Sequence, residues 1–246
     1  MTRVLLCDAD GCLFPSEEPA FVASAAVTNR LLGELGIERR FAPEELKAHA
    51  VGKNFRATAI GLAAEHGVAL TAEALEPWVD EERRAVIEHL GSVLTPDPDV
   101  IEPLTALAER FALAVVSSSA LERLDACFEA TGLAELFPPA VRFSAEDSLP
   151  VPTSKPDPAV YLHAGERLGV TGGEALAIED SPTGARSAVA AGFPVVGNVL
   201  FVPDGERAER EEALRAAGVE SIVESWAELS RRWRSSSAPA ARSPAR

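Results

Sequence analysis

Apolar residues in this chain keep two rhythms: short unbroken runs, and longer stretches at helical spacing. The first run, Val4-Leu5-Leu6-Cys7, goes straight into Asp8 without polar alternation. A strand covered on both faces, as in a parallel sheet, reads this way. From Ala20 to Leu35 the positions Phe21, Ala25, Leu31, Leu32 and Leu35 share roughly one helical face, and Gly36 closes it. Pro43 with Glu44 and Glu45 starts another helix, with proline first and acids in the first turn. Gly52-Lys53-Asn54 interrupts, and Phe55 to His66 resumes helical spacing until Gly67. Thr71 to Leu90 reads as one or two further helices, bent near Pro77. No strand signal separates Pro15 from Gly91, so residues 16–91 are expected to form an all-helical insertion entered just after the first strand.

From Asp97 helix and strand patterns alternate. Asp99 to Arg110 is helical, and Ala112 to Val116 is an apolar run ending at Ser117-Ser118-Ser119. Ser119 with Glu122 predicts a capping box and a helix from there to Thr131. Ala140 to Phe143 reads as a short strand, and Asp157-Pro158 as the start of a helix to Leu168. Ala175 to Ile178 is a second buried strand pattern ending in Glu179-Asp180, and Ser181-Pro182 opens a helix that Gly192 ends. Pro194 to Val196 and Ser221 to Val223 are strand-like, and Ser225 with Glu228 caps a final helix. Single helices between such strands indicate parallel βαβ units over residues 1–15 and 92–230. The last stretch, 231–246, holds five arginines, no acids and abundant Ser, Ala and Pro, and is expected to be a disordered basic tail.

Composition removes several function classes. The chain of 246 residues carries 23 Lys and Arg against 38 Asp and Glu, a net charge of −15. Nucleic acid is therefore not an expected partner, because a phosphate-backbone binder needs a basic face. No apolar run approaches the roughly 18 residues of a membrane span, so no membrane association is expected. Met1-Thr2-Arg3 leads directly into the first strand run, without a signal-peptide pattern. Three cysteines, Cys7, Cys12 and Cys127, cannot all pair and form no CxxC. Buried reduced thiols and a cytoplasmic location are the expectation.

The strand ends carry the candidate chemistry. Asp8 and Asp10, one residue apart and followed by Gly11, stand where ligands bind in open α/β sheets. Two carboxylates brought to 4 Å repel by about 4 kcal/mol at an effective dielectric near 20. A divalent cation with oxygen ligands would offset that repulsion; a surface turn is the plainer alternative, since Asp and Gly are turn residues. Ser117 follows the second strand, Glu179 and Asp180 a later one, and Lys155 precedes a helix start in Ser154-Lys155-Pro156-Asp157. Each alone has an ordinary use as a cap or a solvated charge. Their joint order is more telling.

In the order VLLCDADG (4–11), LAVVSSS (113–119), SKPDP (154–158) and ALAIEDSPTGARSAVAAG (175–192), the chain resembles the haloacid dehalogenase superfamily over nearly its whole length to about residue 230. The helical insertion after the first motif is similar to that superfamily's subfamily I, and within it to β-phosphoglucomutase-like and sugar-phosphate phosphatase-like members. The fold this implies is α/β: a Rossmann-like parallel sheet core with helices on both faces and an inserted all-helical cap. The resemblance implies Asp8 as nucleophile and Asp10 as general acid and base. It implies Mg²⁺ as cofactor, held by Asp8, the Asp10 main chain, Asp180 and, directly or through water, Glu179. Ser117 and Ser118, main-chain N–H groups at the start of the Ser119 helix, and Lys155 would bind the phosphoryl group.

Within the insertion, Lys53, Asn54 and Arg56, with Lys47 nearby, form a local cationic group in an acidic protein and are the candidates for substrate specificity. They are no P-loop, because position 47 is not glycine and no hydroxyl follows Lys53. The scattered histidines His49, His66, His89 and His163 read as structural. The expected activity is a Mg²⁺-dependent phosphatase acting through an aspartyl-phosphate on a small phosphorylated metabolite, a sugar or sugar-acid phosphate. A β-phosphoglucomutase-type phosphotransferase is the alternative, and a catalytically silent metabolite-binding protein a third reading. A monomer or weak dimer is expected.

Overall fold

The structure, a computed structural model, describes residues 2–50 and 53–235. Six parallel strands form one sheet in the order β3-β2-β1-β4-β5-β6. They are β1 (Val4–Cys7), β2 (Ala112–Ser117), β3 (Arg142–Ser144), β4 (Ala175–Glu179), β5 (Val195–Asn198) and β6 (Ser221–Val223). β1 lies between β2 and β4, with Cys7 level with Val115 on one side and Ile178 on the other. Strand order reverses beside β1, so the carboxyl ends of β1, β2 and β4 meet at the crevice where such sheets bind ligands. The unbroken apolar runs are explained by their burial: Leu5, Leu6, Ala114, Val115, Ala177 and Ile178 have no exposed surface.

Ten α-helices accompany the sheet among the described residues. Four lie between β1 and the stretch before β2: α1 (Glu17–Glu34), α2 (Pro43–His49), α3 (Phe55–Glu65) and α4 (Ala72–Val93). The others are α5 (Pro98–Ala108), α6 (Leu121–Thr131), α7 (Ala159–Leu168), α8 (Pro182–Ala190), α9 (Asp204–Ala216) and α10 (Trp226–Ser235). The chain divides into two compact units. One comprises the chain up to Leu13, Pro96–Leu121 and everything from Gly132; the other comprises Phe14–Thr95 and Glu122–Thr131, so most of α6 groups with the helical insertion. The sheet-bearing unit has one large core cluster running from Val4 and Leu6 through Val160, Tyr161 and Phe193 to Leu214. The helical unit has two smaller ones, around Leu32, Phe41 and Leu62 and around Leu31, Ala59 and Leu75.

Several elements differ from the sequence expectation. α1 starts at Glu17, because Pro19 falls in its first turn, where a missing N–H costs nothing. α4 is a single helix with Pro77 inside; the proline removes one hydrogen bond near the N-terminus, and buried Leu75, Val86 and Leu90 hold one face together. The expected strand at 140–143 is a 3₁₀ turn, Pro139–Val141, and the strand follows as Arg142–Ser144. The proposed disordered tail begins too early: α10 continues to Ser235, with the Trp233 ring edge-on to Phe111 at 5.2 Å and Arg110 Nη1 donating to the Trp233 carbonyl at 3.1 Å. Residues 236–246, the rest of that expected tail, lie outside the described residues, as does Gly52. No described helix is long and apolar enough to cross a membrane, and all three cysteines are buried thiols outside any disulfide.

Candidate active site

β1 delivers Asp8 to the carboxyl edge of the sheet, where its N–H continues the ladder to Ile178 O at 2.9 Å. The chain then folds into a tight turn, with Leu13 N–H donating to Ala9 O at 2.8 Å. Gly11 sits in that turn at φ +76°, a conformation L side chains rarely adopt, and a Cβ there would stand 2.6 Å from Asp180 Oδ2. Glycine is thus required twice at this position. β4 brings Glu179 to the same edge, and Asp180 follows it. One carboxylate oxygen from each of Asp8, Glu179 and Asp180 lies within 4.8 Å of the others. Neighbours within a strand face opposite ways, yet Glu179 and Asp180 both offer an oxygen to this cluster. β4 ends at Glu179, so pleat alternation no longer governs Asp180.

Lys155 organises this edge. Its Nζ donates to Asp8 Oδ1 at 2.5 Å, to Glu179 Oε1 at 2.6 Å and to the Val116 carbonyl at 2.7 Å. One ammonium, with 5% of its side chain exposed, thereby ties together the ends of β1, β4 and β2. Burial pulls the lysine towards neutrality, but Asp8 and Glu179 outweigh it and raise its pKa, so it stays charged. Burial raises the Asp8 carboxyl well above the usual range, with Lys155 opposing and Glu179 and Asp180 adding to the rise. Burial and Asp8 also push the Cys7 and Cys12 thiols up, which keeps them protonated.

The serines after β2 are all engaged. Ser117 Oγ accepts from Ser119 N–H at 3.1 Å, and Ser118 Oγ accepts from Lys155 N–H at 3.1 Å, which fixes the lysine's main chain. Ser119 Oγ donates to Asp10 Oδ2 at 2.6 Å. Ser119 stands one residue before the N-cap position of α6, so it does not cap that helix as expected. α6 starts at Leu121, whose N–H donates to Asp147 Oδ2 at 2.6 Å. A carboxylate suits a helix N-terminus better than a hydroxyl, because it also meets the positive end of the helix dipole.

Three further residues belong to the site and carried no signal as such in the sequence. Tyr161, on α7, donates its hydroxyl to Glu179 Oε1 in a short hydrogen bond. Arg210, on α9, donates to Asp180. Gly184, on α8, lies against Glu179: a Cβ there would stand 1.8 Å from Oε2 and 2.3 Å from the carboxyl carbon. A glycine inside a helix costs about 1 kcal/mol relative to alanine, and that cost was the one available hint. Gly184→Ala is expected to lower stability by about 1–3 kcal/mol, as overpacking does, and to displace Glu179. Thermal melting of the purified variant checks this, and a melting temperature equal to the wild type's would contradict it.

In the helical unit the specificity candidates are committed locally. Lys53 Nζ donates to His49 O at 3.3 Å, and Asn54 caps α3 by accepting from Ala57 N–H at 2.9 Å. Arg56 grips Glu76 with both terminal nitrogens, at 2.6 and 3.0 Å.

The three acids suit a divalent ion by their donor chemistry: hard oxygens, buried to 7, 0 and 4% exposure, with Glu179 Oε2 buried and without a hydrogen-bond partner. A family model described as haloacid dehalogenase-like hydrolase matches residues 2–192. A haloacid dehalogenase-like hydrolase domain-containing protein of Arabidopsis thaliana is 35% identical over 125 residues. That match takes in 50% of this chain but 38% of the plant protein, well under two thirds of its length. The crystal structure of a HAD family hydrolase from Deinococcus radiodurans with bound phosphate and sodium is 26% identical, with a TM-score of 0.64 over 93% of each chain. A predicted phosphoglycolate phosphatase from Haemophilus somnus shares the fold at 20% identity, with a TM-score of 0.73 over 94% of this chain and 98% of that one.

Proposed function

This chain belongs to the haloacid dehalogenase-like hydrolase family, and from that premise we propose that it is a Mg²⁺-dependent phosphatase of a small phosphorylated metabolite, a sugar or sugar-acid phosphate. The observation that carries the reading is the Lys155 bridge. One buried cation holds Asp8 at the sheet edge while touching Glu179 and a β2 carbonyl. A fixed, buried positive charge beside a carboxylate nucleophile suits attack on an anionic phosphorus.

In this reading Asp8 attacks phosphorus and forms an aspartyl-phosphate as the alkoxide leaves. Asp10 protonates the leaving oxygen and later takes a proton from the attacking water. The Ser119 hydroxyl steadies Asp10 for both tasks. Lys155 supplies fixed positive charge for the transition state, and the Ser117 and Ser118 hydroxyls serve the phosphoryl oxygens. Asp8, Asp180, Glu179 and the Asp10 carbonyl would hold Mg²⁺, which would supply the remaining positive charge for an anionic group. Lys53, Asn54 and Arg56 are our candidates for recognising the rest of the substrate, with Arg56 exchanging Glu76 for a substrate anion.

The test is phosphate release over a panel of sugar and sugar-acid phosphates, with Mg²⁺ and in excess EDTA. Release with Mg²⁺ and none in EDTA is expected; full activity in EDTA would refute the metal dependence. ³¹P NMR of β-glucose 1-phosphate with catalytic glucose 1,6-bisphosphate distinguishes hydrolysis from transfer. Conversion to glucose 6-phosphate without free phosphate would make the protein a mutase.

A further inference from the structure

Arg210 lies on α9, beyond the stretch matched by the family model, which ends at residue 192. Its Nη1 donates to the Asp180 carbonyl at 3.0 Å and to Asp180 Oδ2 at 3.2 Å. Oδ2 is also the oxygen turned towards the loop bearing Asp8 and Asp10. A Cβ on Gly11 would stand 2.6 Å from Oδ2 but 3.7 Å from Oδ1. Lys155 reaches Asp8 and Glu179, and Arg210 reaches Asp180. Each of the three buried acids thus meets a cation among the described residues.

We propose that Arg210 is the counter-cation that holds Asp180 when the divalent ion is away, and that it competes with that ion for the Asp180 carboxylate. The inference rests on the metal dependence proposed above. Its hydrogen bond to the main-chain carbonyl anchors the guanidinium in place whether or not an ion is bound. A fixed positive charge beside a metal ligand repels a divalent ion twice as strongly as a monovalent one. Arg210 therefore stabilises the ion-free site and weakens ion binding, two effects of opposite sign on one residue. A residue that merely oriented Asp180 would strengthen binding, and one that only packed α9 would leave it unchanged.

Wild type, Arg210→Gln and Arg210→Lys are compared by thermal melting in EDTA and with increasing Mg²⁺, and by calorimetric titration with Mg²⁺. Glutamine removes the charge. We expect Arg210→Gln to melt lower in EDTA, to gain more from Mg²⁺ than the wild type does, and to bind Mg²⁺ about tenfold more tightly, the lower end of what contacts outside the ligand set change. Arg210→Lys keeps the charge and should bind as the wild type does. Unchanged or weaker binding in Arg210→Gln would overturn the inference alone, as would tighter binding in Arg210→Lys. No Mg²⁺ binding or Mg²⁺-induced shift in the wild type would overturn the metal dependence, and the inference with it.

Discussion

Asp8→Asn is expected to lower turnover by on the order of 10⁴-fold or more, the scale seen when a catalytic nucleophile is removed, while the protein folds as before. Asparagine keeps the shape and an oxygen that can accept from Lys155, so the bridge from Nζ to the strand ends survives. It also removes one of three negative charges packed within 4.8 Å of each other. Because Asp8 is buried and its carboxyl is already raised by that burial and by Glu179 and Asp180, losing its charge should leave the melting temperature unchanged or higher. Turnover and stability should therefore separate. Acid-quenched protein incubated with a ³²P-labelled substrate should carry label in the wild type and none in the variant. Turnover within tenfold of the wild type would remove the covalent mechanism.

The parts of this site that could be read from sequence are those where one local pattern serves one purpose. β1, β2 and β4 are continuous apolar runs because both faces of the sheet are covered, and each run ends in the polar residues that form the site. β3 was placed two residues early because apolar Ala140 and Val141 read as strand, whereas they close a 3₁₀ turn and the strand begins at Arg142. In the fold Arg142 is 6% exposed, and its Nε donates to Phe137 O at 2.7 Å. Tyr161 sits among the apolar residues of α7 and reads as core; only the packing of α7 on the sheet aims its hydroxyl at Glu179. Arg210 lies in Glu206-Arg207-Ala208-Glu209-Arg210-Glu211-Glu212, an alternation of charges that reads as a solvated helix face. No local signal separates it from Arg207, which pairs with Asp204 and Glu224 instead. Ser119 has a role the sequence misassigned: it precedes the N-cap position of α6, and its hydroxyl donates to Asp10.

Lys155→Met should be the most destabilising change in the site and should also abolish phosphate release. Methionine keeps an unbranched apolar stem but leaves Asp8 and Glu179 without their shared cation, and the Val116 carbonyl without its donor. Removing one partner of a buried ion pair costs about 3–5 kcal/mol, because the other charge stays buried and uncompensated. The loss should depend on pH, with a definite sign. Asp8 already titrates above its unfolded value of about 3.9, because burial and its acidic neighbours raise it while Lys155 holds it down. Without Lys155 it rises further. A carboxyl whose folded pKa exceeds its unfolded one binds its proton more tightly in the folded state. Stability is then greatest below the unfolded value and falls as pH rises through the folded one. Urea denaturation in EDTA should show the gap between wild type and Lys155→Met widest at pH 8 and narrower at pH 5, as Asp8 takes up a proton in place of the ammonium. An equal loss at both pH values would mean that Lys155 contributes packing rather than charge, and would withdraw it from the centre of this site.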